Sequence, residues 1–356
     1  MSGHQPGAQG RERLGGTDPF RSSDGTVPYL ARLREARARS TPSEEPEEAP
    51  ASAAAADPGP PVPEVALEDP KPRDGWFDRA AGLLLDRDEE RRLQAAAVSC
   101  GDGAYDRLGI SIQTCRRTLA LFKLLHRYYF RVESSGHEQI PEKGSAILAG
   151  NHGGLLPFDA AMAVVDVCLR ANSPRLVRTI VERWVGSLPF LNVFYARVGQ
   201  VIGTRENFRE LLSRQELVLV FPEGVGGIQK RAADRYVLQP FRVGFVEESI
   251  RSRAPIVPVA FIGADDQAPI LYDIKPLAKL LQLPVFPVTP TFPLLGPLGL
   301  LPYPVRYEIE YGEPFHFYEE HPQSVIGDPQ AVRKMVERVR GRIQSMVDRR
   351  LRARER

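Results

Sequence analysis

SAILAGNHGGLLPFD, residues 145–159, decides how this chain is read. An apolar run from Ala146 to Ala149 stops at Asn151-His152, the glycines Gly153 and Gly154 follow, and Asp159 arrives just after Pro157. The pattern predicts a strand that ends abruptly, a backbone-permissive turn, and a helix carrying a carboxylate in its first turn. A His at a strand end with an Asp nearby is the layout of a general base and the group that orients it. Further along, ELVLVFPEG (216–224) repeats the design. A second buried strand ends there in Phe221-Pro222-Glu223-Gly224, which could form the other wall of the same site.

Working outward, apolar runs predict further strands at 175–181, 199–202, 256–261 and 306–311, with helices at about 158–171, 205–214 and 240–252. Strands alternating with helices indicate an α/β fold, a mixed sheet flanked by helices, with its site at the strand ends. Four segments are expected: a disordered Pro/Ala-rich tail over 1–75, amphipathic helices over 76–130, the core domain over 131–320, and a basic helix over 321–356. The tail cannot bury enough apolar surface to offset the entropy of ordering; its basic stretch 29–40 could become helical on contact with a partner. In 108–130, Leu119, Phe122, Leu125 and Tyr129 can share one helical face beside Arg116, Arg117, Lys123 and Arg127. That face either packs on the domain or beds in a lipid interface.

The formal net charge of +2 argues against a generic nucleic-acid binder. Cys100, Cys115 and Cys168 lack metal-ligand spacing, and they suit a reducing compartment. The four histidines outside the tail and the 145–159 stretch, His126, His137, His316 and His321, suggest no metal site and read as structural or exposed. No signal-peptide core and no proline-free run of ~20 apolar residues is present, which predicts a cytoplasmic protein, soluble or lying on a membrane face. Residues 276–304 are strongly apolar yet broken by seven prolines from Pro284 to Pro304. Such backbone could line an acyl-chain tunnel, dip into lipid headgroups, or pack as a loop over the sheet. The last 26 residues hold ten Lys/Arg against three Asp/Glu, a patch for anionic headgroups or the solvated face of a docked helix.

These motifs carry a resemblance. AILAGNHGGLLPFD resembles the NHxxxxD block of the glycerophospholipid (lysophospholipid) acyltransferase family, and VGQVIGTRENF, LVLVFPEG and APIVPVAFIG resemble its second, third and fourth blocks in order. An FRVGF segment between the third and fourth fits as well. The resemblance implies a glycerol-3-phosphate acyltransferase-like fold and a protein peripheral at the membrane. It implies transfer of a fatty acyl group from acyl-CoA or acyl-carrier protein to a lysolipid acceptor, with the donor as co-substrate and no cofactor or metal. Two departures stand out: six residues, not four, separate His152 from Asp159, and Val225-Gly226-Gly227 replaces the Thr-Arg-Ser that usually follows FPEG. The first leaves Asp159 either paired with His152 or a simple helix N-terminal carboxylate. The second removes an arginine that would hold an acceptor phosphate, unless Lys230, Arg231 or Arg235 substitutes, and so favours a nonphosphorylated acceptor.

Acyl transfer from a thioester to an alcohol needs a base during attack, and neutral His152 oriented by Asp159 meets that need. No GxSxG nucleophile is present. Candidate oxyanion donors are the N–H groups near Gly153-Gly154 or at the Gly224 turn. Asn151, Phe221 and Pro222 complete the substrate-binding candidates. Arg205 is the candidate for a polar head group, or else an exposed helix-start arginine. Glu223 either binds acceptor hydroxyls or braces its turn. A lysophosphatidic-acid-like acceptor comes first by family weight, a neutral glyceride or other alcohol second. A silent lipid-binding module and a thioester hydrolase are the competing classes.

Overall fold

The structure, a computed structural model, describes residues 75–97, 105–188, 190–281 and 285–355. The tail expected over 1–75, including its basic stretch 29–40, therefore lies outside the described residues apart from Gly75, and Cys100 lies outside them too. Among the described residues no helix is long and apolar enough to cross a membrane.

Two short helices open the fold, α1 (Trp76–Leu84) and α2 (Arg87–Ala97). The sequence periodicity runs through both, but the chain breaks between them because Asp86 caps α2. Its Oδ1 accepts from the backbone N–H groups of Asp88 and Glu89 at 2.9 Å, and Glu89 Oε2 accepts from the N–H of Asp86 in return. Next comes α3 (Ile112–Leu124), capped by Ser111 and continued by a π turn over Leu125–Tyr129. Its apolar face packs on the domain: Leu119 is buried, and Phe122, Leu125 and Tyr129 lie against the core. Its basic flank is neutralised from α1 and α2, through Arg116–Glu90, Arg117–Asp78 and Lys123–Glu89. Packing wins over the lipid-bedded alternative for this face.

Seven strands form the main sheet in the order β1-β9-β6-β2-β5-β3-β4. They are β1 (Glu133–Ser135), β2 (Ala146–Gly150), β3 (Val177–Val181), β4 (Val201–Ile202), β5 (Leu217–Val220), β6 (Ile256–Ile262) and β9 (Glu308–Tyr311). A separate hairpin pairs β7 (Tyr272–Asp273) with β8 (Pro287–Val288). The five strands from β6 to β4 are parallel, whereas β9 runs antiparallel to β6 and pairs in parallel with β1. Every residue of β2, β5 and β6 is buried, as expected of strands covered on both faces. β9 alternates instead, with Ile309 and Tyr311 inward and Glu308 and Glu310 toward the outside.

The helices α4 (Phe158–Arg170), α5 (Leu191–Arg197), α6 (Arg205–Ser213), α7 (Val225–Ile228), α8 (Gly244–Ser252), α9 (Lys275–Leu280) and α10 (Phe317–Glu320) connect these strands or follow them. The expected helix over 240–252 begins only at Gly244, because the N–H of Arg242 bonds the carbonyl of Pro222 at 3.0 Å and holds this stretch against the Phe221–Gly224 turn. The last helix, α11 (Pro329–Arg354), is docked rather than solvated on all sides. It buries Val332, Met335, Val336, Val339, Ile343, Met346, Val347 and Leu351, each contributing about 1.5–3 kcal/mol of apolar burial. Much of its basic face is met by the chain's own acids: Arg349 and Arg350 pair with Glu310, Arg354 with Glu308, Arg338 with Glu320, and Arg342 with Glu313. The outward glutamates of β9 thus match arginines of α11.

Candidate active site

The site stands at the C-terminal ends of β2 and β5. β2 delivers Asn151, whose amide clasps one residue of β6: Nδ2 donates to the carbonyl of Phe261 at 2.9 Å, and Oδ1 accepts from its N–H at 2.8 Å. This two-pronged clasp fixes the strand end and so fixes where His152 begins. His152 Nδ1 lies 2.6 Å from Asp159 Oδ2, which resolves the spacing question in favour of the pair. Asp159 is fully buried in the first turn of α4, and its oxygens also accept from the N–H groups of Gly153 (3.1 Å) and Ala160 (2.8 Å). The imidazole stacks on Phe221, ring centres 4.3 Å apart.

The longer loop closes because of its glycines and one amide. A Cβ on Gly153 would stand 2.4 Å from Asp265 Oδ1. Gly154 has φ +76°, and a Cβ there would fall 1.9 Å from Gln267 Nε2. Gln267, buried, donates from Nε2 to the carbonyls of Gly153 (3.3 Å) and Leu156 (3.2 Å), while its Oε1 accepts from the Tyr307 hydroxyl at 2.8 Å. The additional residues therefore form a tethered bulge whose Leu155 and Leu156 join the cavity wall.

Glu223 settles as a brace. Its Oε1 accepts from the backbone N–H of His152 at 2.8 Å, its Oε2 accepts from that of Gln239 at 2.7 Å, and Lys230 Nζ stands 3.6 Å away. Lys230 also reaches Asp265 at 3.3 Å. Burial alone would lower the Lys230 pKa, but these two carboxylates outweigh it and hold the ammonium above its ordinary value. The Lys230 ammonium is thus engaged by the chain's own carboxylates. Arg235 is taken by Asp266 at 2.9 Å, and Arg231 is not part of the cavity wall.

A cavity of about 380 Å³ opens on His152. Phe221, Pro222, Gly224 and Arg205 line it, as do Glu182 and Trp184. Asn151, Gly153, Gly154 and Glu223 stand behind this wall, where their hydrogen bonds hold the histidine loop. Of the candidate oxyanion donors, the Gly153 N–H is engaged by Asp159 and that of Gly224 by the Phe221 carbonyl at 2.9 Å. Arg242, in the FRVGF segment, lines the cavity as well; the segment's place between the motif blocks is the signal that could have found it. Both cavity arginines are paired at the rim, Arg205 with Glu247 (3.3 Å) and Arg242 with Glu182 (2.9 Å). Deeper in the wall, Thr179 Oγ1 and Gln200 Oε1 are buried with no hydrogen-bond partner among the described residues.

A second, apolar cavity of about 230 Å³ shares Leu156, Pro157, Leu191, Tyr195 and Gln200 with the first and continues between α3, α4 and α5. Cys115 and Cys168 line it, and burial pushes the Cys168 thiol up to about 11, which leaves it a packing residue. No group of His, Cys, Asp and Glu that could hold a metal ion occurs among the described residues.

The protonation of the pair follows from its surroundings. Burial by itself pushes the His152 imidazole down. The charge and hydrogen bond of Asp159, with Glu223 behind it, outweigh both burial and the Lys230 ammonium, and the pKa sits above its ordinary value. In the neutral state the proton belongs on Nδ1, facing Asp159, and Nε2 is the basic nitrogen.

Known proteins share parts of this sequence. Residues 131–262 match the Acyltransferase family model. An uncharacterised protein of Mycobacterium tuberculosis is 40% identical over 304 residues, spanning 78% of this chain and 84% of that protein. An enzyme of Gallus gallus named as a DGAT1/2-independent enzyme synthesizing storage lipids is 24% identical over 191 residues, 54% of each chain. The crystal structure of the 1-acyl-sn-glycerophosphate acyltransferase PlsC of Thermotoga maritima aligns at a TM-score of 0.42 with 16% identity, covering 77% of this chain and 87% of that one. The match over residues 131–262 places the chain in the acyltransferase family.

Proposed function

We propose that this protein transfers a fatty acyl group from an acyl thioester, acyl-CoA or acyl-carrier protein, to the hydroxyl of a lipid alcohol, with His152 as general base. The observation that carries this reading is the 2.6 Å His152–Asp159 pair opening on a largely apolar cavity that runs on into a second one. Nε2 would take the hydroxyl proton as the alcohol oxygen attacks the thioester carbon, and Asp159 would stabilise the imidazolium as it forms. Collapse of the tetrahedral intermediate then expels the thiolate, which recovers a proton from the imidazolium. The second cavity suits the acyl chain, since it is walled by residues such as Leu93, Leu119 and Val165 and has no charged lining.

The acceptor that the wall supports best is an uncharged lipid alcohol. Both cavity arginines are held by glutamates, the Lys230 ammonium is buried between two carboxylates, and Thr179 and Gln200 offer polar atoms suited to a hydroxyl or ester oxygen. A lysophosphatidic-acid-like acceptor is the second reading, supported by the exposure of the Arg205 and Arg242 side chains at the rim, 64% and 65%, where a phosphate could displace their glutamates. Incubation with radiolabelled acyl-CoA or acyl-carrier protein and a panel of lysophosphatidic acid, monoacylglycerol, diacylglycerol and long-chain alcohols separates the two. Label in neutral esters is expected; label only in phosphatidic acid would reverse the order.

A further inference from the structure

From Leu280 to Val305, between β6 and β9, the chain carries no charged side chain. The tip of this segment leaves Leu294, Leu295, Leu298 and Leu301 outside, 86, 59, 70 and 59% exposed. An uncharged group of four exposed leucines is what a protein surface facing only water avoids. The loop is nonetheless built. The Thr289 hydroxyl accepts from the N–H of Phe292 at 2.9 Å, Thr291 Oγ1 donates to the carbonyl of Gly299 at 2.9 Å, and the Tyr129 hydroxyl donates to that of Pro302 at 2.6 Å. Arg131 Nη2 closes the base by donating to the carbonyl of Pro304 at 3.0 Å.

Those last two bonds bring a second set of groups to the foot of the loop. Tyr128 is 66% exposed, the guanidinium of Arg127 lies over its ring at 5.6 Å, and Arg131 is exposed. Leucines at the tip with a tyrosine and arginines at the base match the layering of a lipid interface, acyl region outermost and phosphates behind. We propose that the 294–301 tip, with Tyr128, Arg127 and Arg131 at its foot, is the surface by which this protein rests on an anionic lipid bilayer. A lipid surface fits better than a protein partner because the tip offers leucines with no charge to fix a register. The cations at its foot complement anionic headgroups.

The placement also serves the reaction, and here the inference rests on the acyltransferase reading. The chain that leads into the loop, through β7 and α9, leaves the C-terminal end of β6, at the end of the sheet that carries His152 and Phe221–Gly224. The N–H of Tyr303 bonds the carbonyl of Gln267 at 2.7 Å, and the Gln267 amide is the tether of the Gly153–Leu156 bulge. A protein seated on this loop holds its catalytic edge beside the layer that contains lipid alcohols.

The test is flotation of the full chain with phosphatidylcholine vesicles, with and without phosphatidylglycerol, in the absence of substrate. Leu294→Asp/Leu298→Asp should lower vesicle partition about a hundredfold, since two leucines that would enter the bilayer are lost. Arg127→Ala should lower the preference for phosphatidylglycerol several-fold. The double variant should keep its transfer rate toward acceptor dispersed in detergent and lose it toward acceptor in vesicles. Leu83→Asp, 88% exposed on α1, should leave partition unchanged. Unchanged partition of the double variant, or an equal fall for Leu83→Asp, would overturn the proposal. So would a concentration-dependent dimer abolished by the double variant with partition intact, which would assign the tip to a second copy of the chain. Failure of the acyltransferase reading is seen separately, as no transfer by the wild type in detergent.

Discussion

Asp159→Asn isolates the electrostatic part of the proposed base. The substitution keeps the size of a fully buried side chain while removing the charge 2.6 Å from His152 Nδ1. Two effects follow. An amide can present its N–H to Nδ1 and stabilise the tautomer that protonates Nε2, so the plateau rate should fall by most of what a general base contributes, about 10²–10⁴-fold, or roughly 3–5 kcal/mol. The charge and hydrogen bond of Asp159 are also the chief causes that raise the His152 pKa against burial. In the wild type the base is neutral, and active, only above that raised pKa, so the acid limb of the rate should lie above the ordinary histidine value. Without the carboxylate, burial dominates and the limb should move to lower pH. The assay is kcat/KM for acyl transfer from pH 5 to 9, with folding checked by thermal unfolding. A slowed enzyme whose acid limb stays in place would refute the assignment of that limb to His152, and an unslowed one would refute the pair altogether.

Other perturbations probe the surroundings of the pair. Gly154→Ala places a Cβ against Gln267 and Ala264 at φ +76°, so activity should drop at least about tenfold while Tm falls by only a few degrees, as read by rate assay and calorimetry. Thr118→Phe, on α3 in the wall of the second cavity, should raise KM for long-chain donors and leave short-chain donors unaffected; equal effects on both would argue against an acyl chamber there. Asp166, buried, accepts from Ser134 and Tyr311 and holds His126 (3.3 Å) and His137 (3.0 Å). Although burial works in the opposite sense, these hydrogen bonds hold its pKa well below the ordinary 3.8. A depressed carboxylate contributes stability that is fully present above the unfolded value and is lost as pH falls through the folded one. Asp166→Asn should therefore cost about 3–5 kcal/mol at neutral pH, and the gap to wild type should narrow below pH 3.8; denaturant unfolding across pH checks both.

Much of this architecture could be read from local pattern. The strands at 146, 217 and 256 are continuous apolar runs because they are buried on both faces, and the His152 and Glu223 turns follow directly from where those runs stop. What pattern could not supply is partnership across the chain. Asp166 reads as one polar residue of α4, yet its two histidines arrive from segments 40 and 29 positions away. Gln267 carries no motif, and its role appears only when β6 brings it beside the glycine bulge. The basic surplus at the C-terminus suggested a lipid patch because the glutamates that meet it are distant in sequence, on β9 and at 313 and 320. Glu223, left open by the sequence, is decided by two backbone N–H groups, one 71 residues away.

The measurement that bears most directly on the proposal follows labelled acyl thioester into ester and free fatty acid, for wild type and His152→Ala, as the lipid alcohol is increased. The account predicts that ester rises with acceptor at the expense of free acid and that both vanish in the variant. Free acid independent of acceptor would make the protein a hydrolase, and ester formation that survives His152→Ala would contradict the assignment of the base.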